Sequence, residues 1–194
     1  MSSPVKVRTT EILSSLWGTL KKITFDLTRR DGRVETLSRE VYDFGDGVAV
    51  LPYDARRDTV LLIRQFRLPP HLAGASGCLI EACAGLLDGD EPETCARREA
   101  EEELGYRLGR LIRAFTIHTS PGVIMERLSL FVAPYTPADR ISAGGGEPGE
   151  GEDIEVLELP FAEALAMIGR GEIIDAKTIL LLQFIELQGL AEPA

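Results

Sequence analysis

The sequence predicts an α/β protein in which helices cover both faces of a mixed β-sheet, an α/β/α sandwich. Short strand-like runs recur through the chain, and three helical segments lie among and after them. At 194 residues with 44% hydrophobic content, the chain is long enough for one domain with a substantial core. An Asp-Gly pair between two early strand-like runs predicts an additional N-terminal β-hairpin.

The N-terminal region, residues 1–44, is predicted to carry this hairpin. Its strand-like runs at 20–26 and 33–42 flank the polar turn at 28–32. Because an isolated hairpin is only marginally stable, we expect this region to take part in a homodimer. Residues 45–194 are expected to form the main domain.

The main domain is predicted to alternate strands, loops and helices. Strand-like runs lie at 47–52, 60–66, 78–83, 111–118, 127–134 and 153–159. Amphipathic helices are predicted at 161–168 and 175–188. The segment 136–151 is rich in Gly, Pro and Ala, and a loop of this length in a compact domain is either functional or disordered.

A glycine-rich turn leads into the remaining predicted helix, which precedes the other two in the chain and contains most of the candidate metal ligands. This helix is expected to begin at Asp90 or Glu91, because Pro92 suits the first turn. It is expected to end at Leu104, with Gly105 in the left-handed conformation that closes many helices.

Two carboxylates of this helix fall on its apolar side. At about 100° per residue, Glu99 and Glu103 lie within the apolar arc that begins at Cys95 and ends at Leu104. Carboxylates facing a buried side are costly unless a positive charge compensates them, and Mg²⁺ prefers such oxygen ligands. The alternative is that the charged residues of this helix are solvated and form ion pairs. We adopt that interpretation only for the residues on the side of the helix opposite Glu99 and Glu103.

The turn and helix resemble a Nudix box, the motif of hydrolases that cut nucleoside diphosphates linked to another moiety. The family pattern is Gly, five residues, Glu, seven residues, then Arg-Glu-x-x-Glu-Glu-x-Gly. This chain has Gly85, five residues, Glu91, and only six residues before Arg98-Glu99. A box shortened in this way is similar to that of the GDP-mannose pyrophosphatase branch. The likeness runs from about residue 12 to 183, through 39–43, 62–67, 120–122, 144–146 and 152–160.

The resemblance implies a metal site and a catalytic base. Mg²⁺, with Mn²⁺ as an alternative ion, is expected on the glutamates of the box, the main chain before its glycine, and one loop glutamate: Glu99, Glu102, Glu103, Ala84 and Glu152. Glu152 is also the candidate base, with Glu147 and Glu150 as competitors and Glu103 as a further catalytic residue. Arg98 is expected to orient the carboxylates by pairing with Glu91 or Glu102.

Candidate substrate contacts lie outside the box. Arg39 and Arg67 are expected to bind phosphate, because guanidinium groups bind phosphate with two hydrogen bonds, and Glu40 belongs to the same set. Trp17 is a candidate to stack on the nucleobase, although a core position is the alternative.

Two further candidates come later in the chain. Lys177 opposes the dipole of its helix, which favours a phosphate or hydroxyl partner from the substrate. Glu126, after a Ser-Pro-Gly turn, is a candidate for sugar hydroxyls or catalysis.

The function implied is Mg²⁺-dependent hydrolysis of a nucleoside diphosphate sugar. GDP-mannose, giving GMP and mannose 1-phosphate, is favoured, and ADP-ribose, giving AMP and ribose 5-phosphate, is the alternative. A third hypothesis is a non-catalytic ligand sensor of the same fold, which would have lost box glutamates or gained a DNA-binding segment.

Composition restricts the partners. The net charge of −10 argues against a nucleic-acid partner, and apolar runs are too short to span a membrane. Three cysteines, Cys78, Cys83 and Cys95, have no metal-ligand spacing and predict free thiols in a reducing cytoplasm.

Overall fold

The structure is a computed structural model that describes residues 3–147, 149 and 151–190. It divides into two compact units, one from Met1–Asp46 with His118–Arg127 and the other from Gly47–Ile117 with Leu128–Ala194. Among the described residues, no helix is long and apolar enough to cross a bilayer.

The N-terminal unit contains a three-stranded antiparallel sheet in the order β1-β2-β3. These strands are β1 Val5–Ser15, β2 Thr19–Thr28 and β3 Val34–Asp43. The predicted hairpin is present between β2 and β3, where Gly32 adopts a φ of +85°. The prediction missed β1, because every residue of this strand is exposed and its sequence shows no alternation between a buried and a solvent face.

The second unit is built on a seven-stranded mixed sheet. Its strands are β4 Gly47–Asp54, β5 Thr59–Phe66, β6 Cys78–Glu81, β7 Cys83–Leu86, β8 Ile112–Ile117, β9 Leu128–Pro134 and β10 Glu155–Pro160. The main order is β10-β5-β4-β9-β8, with β6 paired to β5 and β7 paired to β4. Strands β4 and β9 run parallel, and the other pairs are antiparallel.

Helices cover both faces of this sheet. They are α1 Leu68–Leu72, α2 Pro92–Glu99, α3 Phe161–Gly169 and α4 Ala176–Leu187. Along β4, Val48 and Val50 belong to the core beneath α2, whereas Ala49 and Leu51 belong to the core beneath α3 and α4. The predicted α/β/α sandwich is therefore confirmed. The short helix α1 was not predicted.

The run predicted as one strand at 78–83 is split at Ala82. The amide of Ala82 donates to the hydroxyl of Thr178 at 2.7 Å, and β6 and β7 then pair with different strands. Thr178 is fully buried, and its own hydroxyl donates to Asp175, the N-cap of α4, at 2.6 Å. This contact fixes the start of α4 against the junction that leads into the glycine turn.

Candidate active site

The glycine turn and its helix are formed largely as the sequence predicts. The helix begins at Pro92 after Glu91, whose carbonyl accepts from the amides of Thr94 and Cys95 at 3.0 Å. Gly105 ends it in the left-handed conformation, with a φ of 77°. The last turn, Ala100–Leu104, is π-helical, which the sequence did not predict.

Glu99 lies against the glycine of the turn. Its side chain is 11% exposed, and its Oε1 is 2.9 Å from Nη2 of Arg98. A Cβ at Gly85 would come within 2.1 Å of the Glu99 carboxylate carbon. Only glycine allows the turn and the carboxylate to approach this closely.

Glu103 is almost fully buried, with 1% of its surface exposed. Its carboxylate accepts from the amide of Ala84 at 3.1 Å. Burial raises the pKa of Glu103 to about 8, helped by the negative charges of Glu99 and Glu152 and opposed by hydrogen bonds from Cys83 and Ala84. The predicted inward orientation of both carboxylates is confirmed.

Arg98 holds the remaining box carboxylate. Its Nη1 is 2.9 Å from Glu102, and its Nε is 3.6 Å from Asp90. The pairing with Glu102 is one of the two that the sequence predicts. Glu91, the other, acts through its carbonyl at the helix start.

The metal-ligand candidates do not form a complete coordination site in this structure. Within residues 3–147, 149 and 151–190, no three His, Cys, Asp or Glu side chains are grouped tightly enough to hold a metal ion. Arg98 pairs with Glu99 and Glu102, and the Ala84 amide binds Glu103. The donor set nevertheless suits Mg²⁺, because it consists of carboxylates and one of them is buried at a high pKa that a cation would lower.

The long loop brings Glu152 to the box helix. The amides of Gly145 and Gly146 donate to the carbonyls of Glu103 and Glu102 at 2.9 and 3.1 Å. Glu152 then packs against Gly146, where a Cβ would lie 2.2 Å from its Oε2.

The two competitors of Glu152 differ in what the structure shows. Glu147 is exposed, and its amide donates to Oε2 of Glu152 at 3.1 Å. Glu150 lies outside the described residues.

A buried carboxylate that the sequence did not single out lies beside the box. Glu81, 2% exposed, binds Arg67 through two hydrogen bonds of 2.9 and 3.1 Å. It also accepts from Lys177 at 2.6 Å. Burial alone would raise the pKa of Glu81, but these two cations outweigh it and hold the pKa below its usual value. A charged residue inside the apolar run 78–83 was the signal that could have revealed it.

Arg67 and Lys177 therefore have protein partners. Lys177, in the first turn of α4, is 3.1 Å from Asp175 as well as bound to Glu81. These carboxylates supply the negative charge for which the sequence prediction invoked the substrate. Arg67 keeps 40% of its side chain exposed. Burial lowers the pKa of its guanidinium group, but the hydrogen bonds and charge of Glu81 outweigh burial and raise this pKa, with a smaller contribution from the charge of Glu103.

The other substrate candidates belong to the N-terminal unit. Trp17 is 72% exposed and stacks on Phe44 with ring centres 5.1 Å apart, so it is not a core residue. Arg39 is exposed and donates to the carbonyl of Ser38, and Glu40 is also exposed. Glu126 accepts from the hydroxyl of Thr119 at 2.8 Å.

A cleft of about 520 Å³ opens between β5 and the end of the long loop. Arg67 and Glu152 line it together with Arg64, Gln65 and Cys78. A candidate anion-binding side chain and the candidate base thus border one cavity.

These features define a class of protein: an α/β/α sandwich with a glycine turn and a helix that buries two glutamates. The chain belongs to the Nudix family of hydrolases, since the NUDIX domain family matches residues 43–182. Residues 4–42 match the family described as the GDP-mannose pyrophosphatase NudK N-terminal domain. The enzyme class predicted from the sequence is confirmed.

Individual relatives are similar over the whole chain. The GDP-mannose pyrophosphatase of Escherichia coli O1:K1 / APEC is 50% identical over 193 residues, which cover 99% of this chain and 100% of the relative. That of Cronobacter sakazakii is 51% identical with the same coverage. A crystal structure of an ADP compounds hydrolase has a TM-score of 0.71 at 21% identity, covers 97% of this chain and 96% of that chain, and supports the fold.

Proposed function

We propose that this chain is a Mg²⁺-dependent pyrophosphohydrolase of nucleoside diphosphate sugars that cuts GDP-mannose to GMP and mannose 1-phosphate. The observation that carries the proposal is the burial of Glu99 and Glu103 side by side behind Gly85. Relatives 50% identical over the full chain, which bear the name GDP-mannose pyrophosphatase, support the choice of substrate.

The metal would be held by oxygen donors of the box and the loop. These are the carboxylates of Glu99, Glu102, Glu103 and Glu152 and the carbonyl of Ala84. A bound Mg²⁺ ion neutralises negative charge on the diphosphate oxygens. Mn²⁺, which accepts similar ligands, is the expected substitute.

Glu152 is the proposed general base. It lies near enough to Glu103 for its charge to raise the pKa of that residue, and the Glu147 amide fixes one of its oxygens. In this role Glu152 takes the proton of the attacking water. Arg98 keeps Glu99 and Glu102 oriented through its two ion pairs.

Arg67 is the proposed phosphate contact of the cleft. Glu81 holds its guanidinium through two hydrogen bonds, and the exposed remainder lines the same cavity as Glu152. Lys177 strengthens this arrangement through Glu81. Glu81 would therefore act as a positioning residue for Arg67.

The N-terminal candidates complete the proposal. Trp17 offers an exposed ring for a nucleobase, and Arg39 offers an exposed guanidinium for phosphate. Glu40 and Glu126 are assigned to sugar hydroxyls, with a catalytic role for Glu126 as the alternative. Substitution of each by alanine, followed by separate measurement of kcat and KM, tests these roles.

The proposal extends to assembly and location. We propose residues 1–44 as a dimerisation region and 45–194 as the hydrolase domain, because β1 is an exposed edge strand carrying Val7 and Ile12 at 57% and 63% exposure. The three unpaired cysteines support a cytoplasmic location.

Steady-state kinetics with GDP-mannose and ADP-ribose test the substrate. A site with buried polar groups matched to guanine should reject adenine, which presents a different donor and acceptor pattern. We expect a higher kcat/KM for GDP-mannose. A clear preference for ADP-ribose would reassign the substrate and leave the metal site unchanged.

A further inference from the structure

One buried polar atom is left without a partner in the second unit. Gln65 is 8% exposed, and within the described part of the chain its Nε2 has no hydrogen-bond partner. Buried amide groups are nearly always satisfied in folded proteins. An unpaired donor of this kind indicates a partner that is not part of the polypeptide.

The position of Gln65 in its strand directs it toward the box. Along β5, Gln65 shares a face with Ile63 and Leu61, and both of these pack in the core beneath α2. Gln65 therefore lies on the same side of the sheet as Glu103.

The same residue lines the cleft that contains Glu152 and Arg67. The guanidinium group of Arg67 lines this cleft and is held in place by Glu81. Arg64 lines it as well, paired with Glu155, and the acidic residues Glu152 and Asp153 also belong to its lining. The amide of Gln65 offers a donor to an anion bound beside Arg67, without adding charge. Oxygens of a diphosphate are suitable acceptors for such a set.

We propose that Gln65 is a substrate-positioning residue whose amide donates a hydrogen bond to a diphosphate oxygen of the substrate in this cleft. The assignment rests on the proposed function. Because Nε2 is buried in the free protein while Gln65 lines the cleft, the amide would reach the ligand by rotation of its terminal group.

The test uses Gln65→Met, which keeps the length of the side chain and removes the donor. Because the donor is unpaired in the free protein, its removal should leave the melting temperature equal to or above that of the unmodified protein. The kcat/KM for GDP-mannose in the presence of Mg²⁺ should fall on the order of tenfold to a hundredfold. Gln183→Met, at an exposed position of α4, is the matched control and should change neither quantity.

A second measurement replaces turnover by binding. A GDP analogue with a methylene group between its phosphorus atoms should bind Gln65→Met more weakly by a similar factor in calorimetry. Unchanged binding and unchanged kcat/KM would overturn the assignment and indicate that only a water molecule satisfies the amide. A lower melting temperature with unchanged kcat/KM would also overturn it, because Gln65 would then be structural. If the unmodified protein hydrolyses no nucleoside diphosphate sugar, the proposed function itself fails, and the Gln65 assignment with it.

Discussion

The close contact between Gly85 and Glu99 can be tested by adding a single carbon atom at position 85. In Gly85→Ala the new Cβ would lie 2.1 Å from Cδ and Oε1 of Glu99, whereas ordinary contact begins at 3.4 Å. The carboxylate must therefore move by about 1.3 Å, or the turn must open by the same distance. The φ of Gly85 lies outside the left-handed region, so the substitution adds crowding without backbone strain.

A displacement of about 1 Å in a catalytic group can cost on the order of a hundredfold in rate. We expect Gly85→Ala to lose at least that factor in kcat with GDP-mannose at saturating Mg²⁺, while circular dichroism stays unchanged. Gly109→Ala is the matched control, because a Cβ there meets no atom within 4 Å. Full activity of purified Gly85→Ala would refute the claim that this approach places a catalytic carboxylate.

Three further predictions concern charge and assembly. Without metal, the raised pKa of Glu103 means that the folded state binds a proton which the unfolded state has released, so stability falls as pH rises from about 4.5 to about 8. Glu103→Gln should abolish turnover and should flatten this fall, measured by urea titrations in EDTA at several pH values. An unchanged dependence of the unfolding free energy on pH would contradict the burial argument. Glu81→Gln should cost about 2–3 kcal/mol of unfolding free energy, which is less than the loss of a fully buried ion pair because Arg67 is 40% exposed. The same variant should raise KM. Denaturation and kinetics that match the unmodified protein would exclude a positioning role for Glu81. Light scattering at micromolar concentration should give the mass of a dimer, and a monomer mass would count against the role of the N-terminal unit.

Much of the fold follows from local signals. The Asp-Gly hairpin, the start at Pro92 and the left-handed Gly105 each depend on conformations that few residue types adopt, so the sequence predicts them well. Strand β1 escaped prediction because all eleven of its residues are exposed and no buried face imposes a pattern.

In the candidate site, too, some features can be predicted from local sequence patterns and others cannot. Burial of Glu99 and Glu103 follows from helical periodicity, even though the last turn is π-helical. The bonds of Arg67 and Lys177 to Glu81 join residues far apart in the chain, 14 and 96 positions from Glu81. Such pairings depend on tertiary packing, for which a single sequence carries no periodic signal.

The central claim is that this chain uses a divalent metal to hydrolyse a nucleoside diphosphate sugar at its diphosphate. Its most direct test is to incubate the purified protein with a panel of nucleoside diphosphate sugars, with Mg²⁺ or with EDTA, and to identify the products by phosphorus NMR. The account predicts GMP and mannose 1-phosphate from GDP-mannose with Mg²⁺ and no products with EDTA. Absence of any nucleoside monophosphate at saturating Mg²⁺, or equal turnover in EDTA, would contradict it.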